Sequence, residues 1–243
     1  MQIPDRQPSV ITLPYKTKAV LFDLDDTLFD RTKVFQSWAT SFVQTYFVPG
    51  NDVSQEEILN FIITFDDHGY TARGKLFSQL RQIFPSLQEA TDVLVERYYQ
   101  HQLARLELTE GASMLLQALQ TEGIPIGIVT NGRAWQIRKA KGLGLDQFAS
   151  CIFVSEMVGA KKPAASIFLA AASRLQIPPE EILFVGDHPY NDIWGAHSVG
   201  MRTGWLKRTL DWPETLSSDI VDLTITTLTE LHALISTPGI SRS

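Results

Sequence analysis

Six short apolar runs, each closed by polar or glycine-containing residues, constrain this chain more than any other feature. They are Ala19 to Phe22, Ile124 to Val129, Cys151 to Val154, Ile182 to Val185, Thr203 to Leu206 and Leu223 to Ile225. Short β-rich runs of this kind read as strands buried on both faces. From the second run onward they alternate with helical stretches at Ala112 to Leu119, Trp135 to Leu143, Ala164 to Leu175 and Asn191 to Val199. That alternation calls for right-handed crossovers, so the expected fold is α/β, a parallel sheet covered by helices.

One interval breaks the rhythm. Roughly a hundred residues separate the first run from the second, against the dozen or so that a crossover needs. They hold helical patterning at Val34 to Phe47, Gln55 to Phe65, Lys75 to Phe84 and Thr91 to Leu103, and no convincing strand run. The simplest organisation is a core of residues 17–29 and 108–236 with an all-helical domain, 30–107, inserted after strand one. Residues 1–16 and 237–243 read as flexible ends.

Composition narrows the partners. The 243 residues are 44% hydrophobic, enough for a full core, and carry a formal net charge of −6 without any run of Lys and Arg. A nucleic-acid polymer needs clustered positive charge, so it is not an expected partner. No stretch approaches the roughly 18 apolar residues of a membrane span, and Met1 to Lys18 lacks the apolar core of a secretory signal. The expected compartment is the cytoplasm. Cys151 is the single cysteine; within an apolar run it reads as a buried small hydrophobe.

In an open parallel sheet, function gathers beyond the carboxyl ends of the strands. Strand one runs into Asp23-Leu24-Asp25-Asp26-Thr27. Residues two apart on extended chain point the same way, so Asp23 and Asp25 can project together. Two close carboxylates repel unless a cation joins them or one takes a proton. The first outcome is a hard oxygen site for Mg²⁺, and the second is a nucleophile beside a general acid. Strand two runs into Thr130-Asn131-Gly132, where a hydroxyl and turn N–H groups ahead of a helix can cradle an anion. After strand three comes Lys161-Lys162-Pro163. Pro163 suits the first turn of the following helix and holds Lys162 at the junction, whereas Lys161 reads as solvated. Strand four runs into Gly186-Asp187, with Asp192 five residues further on. Taken singly, these residues are also ordinary helix caps, turns or surface charge. Their order, each after a successive strand of one sheet, is what points to chemistry.

In that order they resemble the haloacid dehalogenase-like superfamily, whose four motifs fall here on Asp23-Leu24-Asp25-Asp26-Thr27, Thr130-Asn131-Gly132, Lys162-Pro163, and Gly186-Asp187 with Asp192. The resemblance spans about Lys18 to Leu234, and Gln136, Ile167-Phe168, Gly195-Ala196, Gly200-Met201 and Trp205 add smaller matches. It implies a Rossmann-like, doubly wound core and a helical cap that closes over the site. It also implies that Asp23 attacks phosphorus and that Asp25 protonates the leaving oxygen and later activates water. Thr130, Asn131 and Gly132 would hold phosphate, and Lys162 would neutralise charge. Asp23, Asp187, the Asp25 carbonyl and a supporting Asp192 would hold Mg²⁺. The expected activity is a phosphatase acting on a small phosphorylated metabolite such as a nucleoside monophosphate, a sugar phosphate or phosphoglycolate.

A phosphomutase of the same superfamily is the nearest rival, since it keeps Asp25. A haloacid dehalogenase does not need Asp25 or a full set of Mg²⁺ carboxylates. A phospho-accepting receiver domain, the non-enzyme rival, puts its acidic residues on different strands and lacks a large insertion. Substrate choice is expected in the inserted helices, above all in Asp66 to Lys75, where Arg73 and Lys75 could bind a second anionic group and His68 and Tyr70 could grip a sugar or base edge. Monomer and homodimer both remain open.

Overall fold

The computed structural model describes residues 17–47 and 53–236. The ends at 1–16 and 237–243, expected to be flexible, lie outside the described residues. Two compact units divide the chain, one of them Asp30–Glu107 and the other made of the residues on either side of it.

The divided unit is a six-stranded sheet of β1 (Ala19–Phe22), β2 (Ile126–Thr130), β3 (Ala149–Val154), β4 (Ile182–Gly186), β5 (Arg202–Leu206) and β6 (Leu223–Ile225). The order is β3-β2-β1-β4-β5-β6, and every neighbouring pair is parallel. β1, β2 and β4 are buried along their whole length, as runs covered on both faces must be. β2 starts two residues later than the apolar run does, because Pro125 has no N–H to give a ladder.

The chain winds outward from β1 to β3, then crosses back to lay β4 on the other side of β1. Such a reversal opens a crevice at the carboxyl ends of the central strands. α5 (Ala112–Thr121), α6 (Trp135–Gly142), the single turn α7 (Ser155–Val158), α8 (Ala165–Leu175) and the short α9 (Gly195–His197) lie between strands, and α10 (Leu228–Ser236) follows β6. Their buried apolar side chains complete the core, with Ile167, Phe168 and Ala171 of α8 clustered with Leu21, Val129 and Phe184 of the sheet. An antiparallel bridge between Phe29 and Leu108 closes the base of the insertion.

Two local expectations differ. Pro163 precedes α8 and does not enter its first turn; Ala164 is the N-cap, and the Lys162–Pro163 bond is cis. The helix expected over Asn191 to Val199 is a π-helical turn, Pro189–Trp194, running into α9. His188 accounts for that start, since its Nδ1 accepts from the N–H groups of Tyr190 and Asn191 at 3.2 Å.

The undivided unit is helical: α1 (Arg31–Tyr46), α2 (Gln55–Asp66), α3 (Arg73–Ile83) and α4 (Thr91–Leu103). Asp30 caps α1 by accepting from Lys33 N at 2.9 Å. Ser54 and Glu57 form the reciprocal capping box of α2, which satisfies two orphan donors at once. An aromatic core of its own holds the unit together, with Trp38 stacked on Phe42 at 5.0 Å and edge-on to Phe77 and Tyr98 at 5.5 and 5.0 Å. Among the described residues, no helix is long and apolar enough to cross a membrane.

Candidate active site

Asp23 leaves the end of β1 only 6% exposed, held by its N–H donating to the Val185 carbonyl of β4 at 2.9 Å. Lys162 Nζ lies 2.6 Å from Asp23 Oδ1 and 2.6 Å from Asp192 Oδ1, itself 2% exposed. The Lys162 backbone is fixed by Asn131, whose side chain accepts from Lys162 N at 2.8 Å and donates to Lys162 O at 3.0 Å. The loop after β2 therefore braces the loop before α8, and one lysine spans two carboxylates.

Asp192 returns from the π-helical turn to the end of β4. Its Oδ2 accepts from His188 N at 3.0 Å. A Cβ on Gly186 would collide with the Asp192 carboxylate, so only glycine lets the acid fold back over the strand end. Asp23, Asp187 and Asp192 each offer a carboxylate oxygen, and these oxygens lie within 4.8 Å of one another. Three carboxylates against one ammonium leave negative charge in excess, and a hard divalent cation fits that all-oxygen donor set.

Electrostatics agree with that fit. Burial raises the Asp23 carboxyl from its ordinary 3.8 to about 7; Lys162 opposes the rise and the Asp192 and Asp25 carboxylates add to it. Asp187 is raised well above 3.8, by burial first and then by Asp192 and Asp23. Burial alone would lower Lys162, but the Asp192 and Asp23 carboxylates outweigh it and push it up.

A pH dependence arises from Asp23. Between pH 3.8 and about 7 the metal-free folded protein keeps a proton on Asp23 that the unfolded chain has already given up. Metal-free stability therefore falls as pH rises through that window, because the folded state binds more protons than the unfolded one. A cation that must displace the proton binds more tightly at the upper end of the window. Thermal melts in EDTA should give a lower Tm at about pH 7.5 than at about pH 5, with added Mg²⁺ raising Tm more at the higher pH.

Asp25 stands outside that carboxylate cluster and is held from α6. Lys139 Nζ of α6 is 2.5 Å from its Oδ1, and Gln136 Nε2 donates to its Oδ2 at 2.8 Å. The same Gln136 nitrogen donates to Thr130 Oγ1 at 2.8 Å. The sequence marks Gln136 only as a minor match and gives Lys139 no role. The available signal is their three-residue spacing on a helix that starts after the Thr130 loop, which puts both on one face. The Gly132 N–H donates to Ser155 Oγ at 3.0 Å, so Gly132 contributes room at this site while its donor is engaged.

Arg73 and His68 belong to the helical unit. Arg73, expected as an arm for a second anionic group, is instead 7% exposed and pairs with Asp66. It also donates to the Thr71 carbonyl at 2.9 Å. Arg31 reaches the same Asp66 oxygen at 2.5 Å, and both guanidinium groups lie over the Phe35 ring. A charge buried this deeply needs such a partner. His68 is exposed in a turn of left-handed residues, Asp67 (φ 49), His68 (φ 50) and Gly69 (φ 91). Cys151 is partly buried, and burial pushes its thiol up, away from a reactive thiolate.

The profile of the haloacid dehalogenase-like hydrolases matches residues 20–206. The chain belongs to the haloacid dehalogenase-like hydrolases. Within that family it is similar to the glyceraldehyde 3-phosphate phosphatase of Pyrococcus furiosus, 31% identical over 79% of this chain and 81% of the relative. It is also similar to the ribulose-1,5-bisphosphate 5-phosphatase of Halopiger xanaduensis, 29% identical over 90% and 99%. The structure of YfnB from Bacillus subtilis, bound to magnesium, matches with a TM-score of 0.69 at 26% identity, covering 91% of this chain and all of that one. Family and relatives identify the chain as an enzyme, a phosphoric monoester hydrolase.

Proposed function

We propose that this hydrolase is Mg²⁺-dependent and removes the phosphoryl group from a small cytoplasmic phosphomonoester through an aspartyl-phosphate on Asp23. The observation that carries the reading is the Asp23 carboxylate, buried 2.6 Å from Lys162 within the cluster completed by Asp187 and Asp192.

In the first step an Asp23 oxygen attacks phosphorus while the bond to the leaving oxygen breaks, and the Asp25 carboxyl gives that oxygen its proton. In the second step the ionised Asp25 takes a proton from water, the water oxygen attacks phosphorus, and the bond to Asp23 breaks. Thr130 and the Asn131 amide hold the phosphoryl oxygens, and Lys162 stabilises the negative charge shared between Asp23 and the transferring group. Mg²⁺, held by Asp23, Asp187, Asp192 and the Asp25 carbonyl, would supply the remaining charge neutralisation.

A sugar phosphate is the favoured substrate class, on the strength of the similar phosphatases of Pyrococcus furiosus and Halopiger xanaduensis. The helical unit is assigned the role of cap, with exposed His68 and Tyr70 as its substrate contacts. Arg73 then shapes their loop through Asp66 instead of meeting the substrate. The pure protein should release phosphate from para-nitrophenyl phosphate with Mg²⁺, stop on adding EDTA and recover with excess Mg²⁺. Turnover that survives EDTA would overturn the metal assignment.

A further inference from the structure

The acid/base residue of the proposed reaction is held on both oxygens by one helix. Lys139 takes Asp25 Oδ1 and Gln136 takes Oδ2. The two donors are 3% and 4% exposed, whereas the Asp25 side chain keeps 30% of its surface. A carboxylate gripped on both oxygens cannot swing about its terminal torsion, yet it stays open to a reacting atom. Lys139 Nζ also sits 5.0 Å from the centre of the Phe29 ring, so its position is set from two sides.

Gln136 ties this grip to the phosphate loop. One amide nitrogen has two hydrogens, and here they serve Asp25 Oδ2 and Thr130 Oγ1, each at 2.8 Å. The chain makes space for that reach. Gly132 has φ +152, and a Cβ there would lie 2.6 Å from Gln136 Cγ. A glycine in the phosphate loop is thus explained by the glutamine that crosses it.

We propose that Gln136 and Lys139 are positioning residues that aim the Asp25 carboxyl at the leaving-group oxygen. The inference rests on the reading of Asp25 as the acid that protonates that oxygen. Position matters most where the proton matters most. A phenolate that leaves readily needs little protonation, whereas a poor leaving group needs the acid in line as its bond to phosphorus breaks.

The test compares Lys139→Met, Gln136→Leu and Asp25→Asn on two esters, para-nitrophenyl phosphate and phenyl phosphate, with strongly and weakly acidic leaving phenols. Lys139→Met should lose no more than about tenfold in kcat/KM, which reports the phosphorylation step that expels the phenol, on the nitrophenyl ester and about a hundredfold on the phenyl ester. Gln136→Leu should show the same selectivity more weakly, and Lys139→Arg should recover part of the loss. Once Asp25 is Asn, adding Lys139→Met should cost little more, since the two act as a unit. If Asp25→Asn selects between the esters and neither α6 variant does, the positioning role fails and the acid/base reading stands. If Asp25→Asn shows no selectivity, both fall. Lys139→Met takes the cation from Asp25 and Lys139→Arg keeps it, so the pair separates lost charge from lost position, and a wild-type melting curve confirms the fold of each variant.

Discussion

Asp23→Asn is expected to lower kcat on any phosphomonoester by at least about 10⁴-fold and to leave no phosphate on the protein after denaturing quench, the scale set by removing a nucleophile that acts within a unit. Asparagine keeps the shape of aspartate, and Lys162 keeps its second partner, Asp192 at 2.6 Å. The loss would therefore be chemical and not a collapse of the site. A variant that retained even a tenth of the turnover would remove Asp23 from the reaction and, with it, the aspartyl-phosphate. Phosphate release and mass spectrometry of the quenched enzyme decide the matter together.

The second large effect lies in the other unit. Asp66→Ala is expected to destabilise the helical unit by about 3–5 kcal/mol, the usual cost of breaking a buried charge cluster from one side. Asp66 is 2% exposed and is the carboxylate joining Arg31 and Arg73, at 5% and 7%. Without it, two guanidinium groups face each other inside the unit, both against Phe35. Domain stabilities are themselves only about 5–15 kcal/mol, so the loss takes a large share. Hydrogen exchange should show α1 to α4 losing protection while β1, β2 and β4 keep theirs. Unchanged exchange in the helices would mean that the cluster contributes nothing to stability.

Asp66 also shows where the legibility of the sequence stops. Arg73 reads as a solvent-facing cation in a polar segment, since nothing local says that a residue seven positions earlier will claim it. The pairing depends on α2 and α3 folding back on each other around a left-handed turn, together with an arginine from the start of α1. The same limit hides Lys139. Its partner Asp25 is 114 residues away, and a lysine in the last turn of a helix ordinarily reads as a favourable C-terminal charge. The π-helical turn after β4 escapes for a related reason. Asn191 to Val199 has helical composition, but His188 and Asp192 engage the backbone at its start, and local propensity carries no record of that.

The central strands, in contrast, are legible because they are buried on both faces and so appear as unbroken apolar runs, as at Ala19 to Phe22 and Ile182 to Val185. The double burial expected of all six runs fails at the sheet edges, where β3 is mostly half-buried and Thr224 of β6 is exposed, because an edge strand has a neighbour on one side only. The motifs are legible because a parallel sheet delivers the residues after each strand to one edge. By itself, then, the sequence determined the α/β class, the long helical interval and the acids, hydroxyl and lysine placed after successive strands, all of which depend on short-range pattern. Only the tertiary structure decided which carboxylate each cation serves, with Lys162 on Asp23 and Asp192, Lys139 on Asp25, and both arginines on Asp66. The physical reason is that a buried charge is satisfied by whatever partner the packing brings within hydrogen-bond reach, at any distance along the chain.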